Sequence, residues 1–240
     1  MGSYTTVDMA LAQEIIGHYE LGEVEHLQAL SLGISNSNYK ICISSINYLL
    51  KVSNDKNKHQ LNQEMAILNA LGEKSFPFSL VPIKTKSDQF TYQVESHFGV
   101  LFPFVEGIPP GPSDQTCFAI GQGLAQLHNL EWSSEQQQKI RAYSQVGEDL
   151  HQIKLFTEDK NCPEDFKHIY ELLLSESYDI WSNANHRKGL VHGDLYYDNT
   201  LFDQNKLSAI LDFEQSGYGN VLLDLGISIS GTCLEKGRII

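Results

Sequence analysis

The chain has 240 residues, room for one large domain or two lobes. Hydrophobic residues make up 41% and charged residues 20%, a globular composition that excludes a disordered or fibrous chain. The formal net charge of -13 and the isoelectric point near 5.0 argue against nucleic acid or an anionic membrane surface as partners, because both reward basic patches.

The four cysteines, Cys42, Cys117, Cys162 and Cys233, are widely spaced and form no Cys-x-x-Cys pair. They read as free thiols of a reducing cytoplasm, not as a zinc site or disulfide frame. Residues 1–8 contain no basic run followed by an apolar one, so no export signal is visible and a cytoplasmic location is expected. Gly2 begins a weak match to a myristoylation pattern that reaches Thr6 as readily by accident. No apolar stretch is long enough to span a bilayer, and no internal repeat is present.

In chain order, residues 8–20 carry a helical period, with Ala12, Ile15, Ile16 and Tyr19 on one face and Leu21-Gly22 as the stop. Residues 24–32, 38–43 and 48–52 read as a three-strand meander. The turn between the first two, with Gly33, Ser35, Asn36 and Ser37, is of a type that can aim N–H groups and small hydroxyls at phosphate oxygens. Taken alone it reads more simply as a hairpin loop. Lys51 is the one charge in an apolar strand. It either pairs with a phosphate and a carboxylate or snorkels to water. Residues 59–71 predict a helix whose apolar face is Leu61, Met65 and Leu68, with Glu64 at its edge. Lys51 is the natural partner for Glu64; a solvated Glu64 is the competing reading, and Glu73 a weaker substitute.

Residues 76–82 read as a rigid extended connector. Two further strands, 90–95 and 98–102, complete a five-strand sheet. The run from Phe102 to Gly107 passes into Pro109-Pro-Gly-Pro112 and is the candidate hinge between lobes. Pro103 has no N–H, so a hinge donor falls to Phe104 or Val105.

Residues 114–129 predict a helix with Cys117, Ile120, Gly121, Leu124, Leu127 and His128 on one face. Gly121-Gln-Gly123 lies inside it and lacks a third glycine, which excludes a dinucleotide fingerprint. No Gly-x-x-x-x-Gly-Lys-Ser/Thr loop occurs, so a P-loop fold is excluded. His128 reads as a packing histidine. Residues 131–160 are polar, with a helix around 136–143, and 163–185 predict a long amphipathic helix.

The stretch 190–202 holds the most chemistry. It contains His192-Gly-Asp194, then Asn199 five residues after the Asp, and Asp212 thirteen residues later. Residues 201–203 and 207–211 read as two strands around the polar turn 203–206. Such a hairpin brings Asn199 and Asp212 together at its mouth, with Asp194 beside them. Hard oxygen ligands of this kind suit Mg²⁺ completed by phosphate oxygens. Any one of these residues alone reads as a surface turn; all in order, between apolar strands, favour the cation site. Asp224 opens an apolar helix and reads as a helix cap or an anchor for the loop.

His192-x-Asp-x-x-x-x-Asn199 followed by Asp212-Phe-Glu214 resembles the catalytic loop and metal-binding segment of kinases. The form His-Gly-Asp-Leu-x-x-x-Asn with Ile-x-Asp-Phe-Glu resembles the aminoglycoside-phosphotransferase and small-molecule kinase superfamily. Stretches 4–22, 31–39 and 224–233 are similar to the homoserine kinase type II family within it. The resemblance implies an α+β, two-lobed protein-kinase-like fold. A small antiparallel sheet would form a nucleotide-binding lobe over residues 1–104, and a mainly helical catalytic lobe would span 105–240.

It also implies an ATP- and Mg²⁺-dependent kinase. Asp194 would be the base toward the acceptor hydroxyl, and His192 would join it at the catalytic loop and shape that loop. Asn199 and Asp212 would hold Mg²⁺. Lys51, fixed by Glu64, would grip the phosphates under the turn of Gly33, Ser35, Asn36 and Ser37, and Phe104 or Val105 would meet adenine. Such a site must build a local positive field against the chain's negative background. The partner is a small hydroxylated acceptor, homoserine first, then choline, ethanolamine, hydroxylysine, methylthioribose or an aminoglycoside. Members of the family continue for several more helices, so the resemblance implies a catalytic lobe lacking its last ones. An inactive nucleotide-binding module and a metal-dependent hydrolase are the alternatives of other classes.

Overall fold

Strand alternation decides which residues of the sheet face the site. The computed structural model describes residues 5–30, 36–143, 154–182, 186–235 and 238–239. It contains a five-stranded antiparallel sheet in the order β1-β2-β3-β5-β4. The strands are β1 (Val24–Leu30), β2 (Asn36–Ile43), β3 (Ile46–Ser53), β4 (Tyr92–Val94) and β5 (His97–Pro103). Ile41, Leu50, Val52, Tyr92 and Leu101 lie in the apolar cluster beneath helix α1 (Met9–Ile16). Val100 and Phe102 pack in a second cluster with helix α2 (Lys58–Glu73). Lys51 pairs in register with Val100, so its side chain belongs to the α2 face of the sheet.

Both helices of this half are capped by the residues before them. Asp8 accepts from Leu11 N at α1, and Asn57 forms a reciprocal capping box with Gln60 at α2. The first helix ends four residues earlier than its apolar period suggests. Tyr19 still packs in the core, on a turn in which its N–H bonds Ile16 O.

The second half holds α3 (Asp114–His128), α4 (Ser134–Tyr143), α5 (Glu164–Ser182) and α6 (Val221–Thr232). Three short antiparallel pairs complete it: β6 (Lys188–Val191) with β9 (Gly217–Asn220), β7 (Thr200–Asp203) with β8 (Lys206–Ile210), and β10 (Leu234–Glu235) with β11 (Arg238–Ile239). Gln204 and Asn205 both have positive φ, 45° and 68°, as a two-residue hairpin turn requires. The apolar cluster around α2 does not stop at the expected lobe boundary. It continues through Ile120, Leu124 and Leu127 of α3 to Leu190, Phe202, Ile210 and Phe213.

Some expectations change in detail. The 76–82 segment is not fully extended but turns at Pro77-Phe78, from where Phe78 O accepts Ile210 N at 2.7 Å. Phe166, Ile169, Leu172 and Leu173 of α5 are exposed, Ile169 at 55% and Leu173 at 57%. All four cysteines are free, and no helix among the described residues is long and apolar enough to cross a membrane.

Candidate active site

Two of the short pairs build one loop cluster. Strand β6 delivers the chain into the loop 192–199, β7 and β8 carry it out and back, and β9 returns it beside β6, with Val191 opposite Gly217. Leu211 N donates to Asn199 O at 2.8 Å and closes the mouth of the β7–β8 hairpin. Asn199 and Asp212 are therefore neighbours, as the spacing required. The Asn199 amide donates to Asp194 O at 2.8 Å and to Asp194 Oδ2 at 3.2 Å. That leaves the Asn199 Oδ1 as an acceptor for a cation.

Asp212 has φ 62° and ψ 62°, a left-handed conformation uncommon outside glycine. Its Oδ1 is buried without a hydrogen-bond partner. Burial pushes its carboxyl above the usual range, and Glu214 and Glu64 push the same way against Lys51 and Lys56. A buried, orphaned carboxylate oxygen next to a free amide oxygen fits a hard divalent cation. Among the described residues no cluster of three or more His, Cys, Asp or Glu side chains forms a metal site, so phosphate oxygens would have to complete the coordination.

Asp194 is partly exposed. Its carboxyl is raised by burial, while His192 and the hydrogen bond from Asn199 pull it down. His192, grouped with the catalytic pair from the sequence, lies behind the loop rather than at its surface. It is fully buried, its Nε2 is 2.7 Å from Leu211 O, and its Nδ1 accepts from Asp194 N at 3.2 Å. Burial holds the imidazole below its usual pKa, so the neutral Nε2–H tautomer serves both bonds. It shapes the loop and has no surface for a substrate.

Asp224 is the loop anchor. Its Oδ2 accepts His192 N and its Oδ1 accepts Gly193 N, at 2.8 and 2.9 Å. Oδ2 also lies 2.8 Å from His128 Nε2. The cap of α6 is Asn220 instead, which accepts from Leu222 N. His128, read as packing only, thus links α3 to the loop through Asp224.

Lys51 reaches Glu64 at 3.9 Å, and Glu64 is buried. A closer partner was not visible in the sequence. Lys56 Nζ lies 2.7 Å from Glu64 Oε2 and 2.5 Å from Glu214 Oε2. Burial opposes the charge on Glu64, but Lys51 and Lys56 outweigh it and keep its carboxyl below the usual range. Lys56 sits in the polar loop between β3 and α2, where no periodicity marks it. Only the uncompensated Glu214 could have hinted at it.

The phosphate turn needs correction at Ser37. Strand β2 starts at Asn36, so Ser37 alternates onto the α1 face, away from Lys51. Its hydroxyl accepts from Thr5 N and Asn54 Nδ2 and is committed to packing. Asn36 pairs with Ser53 on the Lys51 face, and both Asn36 Oδ1 and Ser53 Oγ are buried without partners. Gly33 and Ser35 lie outside the described residues. At the hinge, Phe104 N donates to Asn47 O at 3.2 Å, which removes it as an adenine donor and leaves Val105.

Sequence comparison decides the family. The profile of the phosphotransferase enzyme family (APH) matches residues 26–238. The chain belongs to that family. It is a phosphotransferase of the class whose members are kinases of small molecules. It is 23% identical over 240 residues to a homoserine kinase of Methylobacillus flagellatus, covering 98% of this chain and 72% of that one. Among solved structures it resembles the spectinomycin phosphotransferase APH(9)-Ia in complex with ADP and spectinomycin. The TM-score is 0.62 at 16% identity, over 92% of this chain and 73% of that one. The amicoumacin kinase hAmiN, in complex with AMP-PNP, Ca²⁺ and its antibiotic, aligns with a TM-score of 0.62 at 15% identity, over 94% and 69%. These likenesses establish the kinase-like fold expected of the APH family.

Proposed function

We propose that this APH-family chain transfers the γ-phosphoryl group of ATP to a hydroxyl of a small metabolite, with homoserine as the first acceptor. The observation that carries the reading is the hairpin mouth, where Asp194, Asn199 and the unpartnered Asp212 Oδ1 converge. Asp194 accepts the proton of the acceptor hydroxyl. The hydroxyl oxygen bonds to the γ-phosphorus as the bond to the ADP oxygen breaks. Lys51, oriented by Glu64, meets the phosphates, with the Ser53 hydroxyl on the same face of the sheet. Val105 N–H offers the adenine donor.

Asn199 and Asp212 would hold Mg²⁺, which neutralises charge on the phosphates when bound. His192 and Asp224 keep the loop in shape. The rest is positioning, which is most of what phosphoryl transfer asks of a protein. Homoserine stands first because a homoserine kinase aligns over nearly the whole chain.

The test is ADP release from ATP and Mg²⁺ over homoserine, choline, ethanolamine, hydroxylysine, methylthioribose and an aminoglycoside. Turnover with homoserine well above the other acceptors is expected. Asp194→Asn should keep nucleotide binding and lose at least about a hundredfold in kcat, the usual weight of a positioned acid–base group. A near-normal rate in that variant removes Asp194 as the base.

A further inference from the structure

Five charged side chains meet between α2 and the segment after β8, and they are not evenly matched. Lys51 and Lys56 face Glu64, Glu214 and Asp212. Two ammonium groups against three carboxylates leave one negative charge in excess. The geometry shows which carboxylate it is. Glu64 and Glu214 are each held by Lys56, whereas Asp212 Oδ1 has no partner. Yet Glu214 stands two residues from Asp212 and near enough to push its carboxyl upward. Without Lys56, Glu214 would be a second free carboxylate beside the first. A second free carboxylate adds an anionic oxygen ligand, so a hard cation binds more tightly before any phosphate arrives.

We propose that Lys56 is a positioning residue that sets which carboxylate serves the metal. Its ammonium occupies Glu214 and Glu64, clamps the Asp212 segment to α2, and leaves Asp212 as the one of these three carboxylates that no lysine pairs with. The cation then binds well only together with the nucleotide, whose phosphate oxygens supply the missing ligands. Lys51 meets the opposite oxygen of Glu64 at 3.9 Å, and the Glu214 carboxylate is paired with Lys56. The arrangement also ties the sheet half to the segment after β8 through an ion chain that is buried at Glu64 and partly exposed at Glu214. This inference rests on the proposed function for the placement of the metal at Asp212.

The test measures Mn²⁺ binding by electron paramagnetic resonance, with and without a non-hydrolysable ATP analogue, on the full chain. The unaltered protein should bind Mn²⁺ weakly alone and strongly with the analogue. Lys56→Met should bind Mn²⁺ alone at least about tenfold more tightly, and the gain from adding nucleotide should shrink. Lys56→Arg should restore the original pattern. Lys56→Gln keeps hydrogen-bonding groups without the charge, so it reports the same effect if Lys56→Met does not fold.

Adding Glu214→Gln to either neutral variant should return Mn²⁺ affinity to its starting value, because the gained ligand is then gone. Unchanged affinity for Mn²⁺ alone in the neutral variants overturns the proposal, and so does a gain that survives Glu214→Gln. The two readings fail separately. An unaltered chain that binds no nucleotide with Mn²⁺ overturns the proposed function and Lys56's role with it. Normal nucleotide binding with unresponsive Lys56 variants overturns the second alone.

Discussion

Asp224 shows how a single buried carboxylate organises a loop it does not belong to. Burial alone would raise its pKa, but His128 and the N–H groups of Gly193 and His192 outweigh that and hold it below the usual carboxylate range. A carboxyl lowered in the folded state contributes stability that is fully present above its unfolded pKa of about 4. That stability is lost as pH falls through the lower folded value. Urea midpoints measured from pH 6 down to pH 2.5 should therefore drop steeply below about pH 4, and Asp224→Asn should flatten that part of the profile. Asp224→Ala strands two N–H groups and should cost about 3–5 kcal/mol. An acid profile identical in Asp224→Asn would mean that another group controls it.

At this scale the sequence was legible where a residue broke a pattern. Lys51 was the one charge in an apolar strand, and period-2 alternation did set it facing Glu64. Lys56 lay in a polar loop and broke nothing. Ser37 was misread because the strand starts two residues before its apolar run does, and polar residues at a strand's first positions look like turn.

Helix α6 makes two contrasting demands on its glycines. A Cβ at Gly231 would run into the Tyr196 ring, so the missing side chain is what lets this tyrosine of the 192–199 loop rest on the helix. At Gly226 a Cβ would meet nothing within 4 Å. Gly231→Ala should push Tyr196 aside, cost about 1–3 kcal/mol by overpacking, and lower kcat more than it lowers nucleotide affinity. Gly226→Ala should leave the rate unchanged and raise stability by up to about 1 kcal/mol through helix propensity. Thermal melts and steady-state rates on the two variants check both. Equal behaviour would mean that the Tyr196 contact does not constrain the loop.

The elements with strong periods were readable: α2, α3, the meander and the β7–β8 hairpin fall close to where their patterns put them. The β6–β9 pair was not. Gly217-Tyr-Gly-Asn220 carries two glycines in four residues and reads as loop, and only the partner strand makes it a strand. The exposed apolar face of α5 was equally invisible, because an amphipathic period states that a face is apolar without stating what covers it.

For the whole molecule, one apolar cluster joins α2 to α3 and to the hairpin that carries Asp212, and the ion chain through Lys56 crosses the same region. The two halves meet through packing and charge together. That charge is nearly spent locally, since the site's ammonium groups are outnumbered by its carboxylates while the chain as a whole carries -13. These five groups then offer no net attraction to an anionic nucleotide. Arrival is a meeting of like charges. Salt screens over about 10 Å at 0.1 M, so the bimolecular on-rate for the Mg²⁺–ATP complex should climb between about 10 and 150 mM monovalent salt. Enzymes that steer their substrates electrostatically slow down over the same range. A stopped-flow on-rate that falls with salt would reveal a long-range attraction that the acid-rich site does not supply. A rising one means that this kinase takes up its nucleotide faster in the ionic strength of a cell than in a dilute assay buffer.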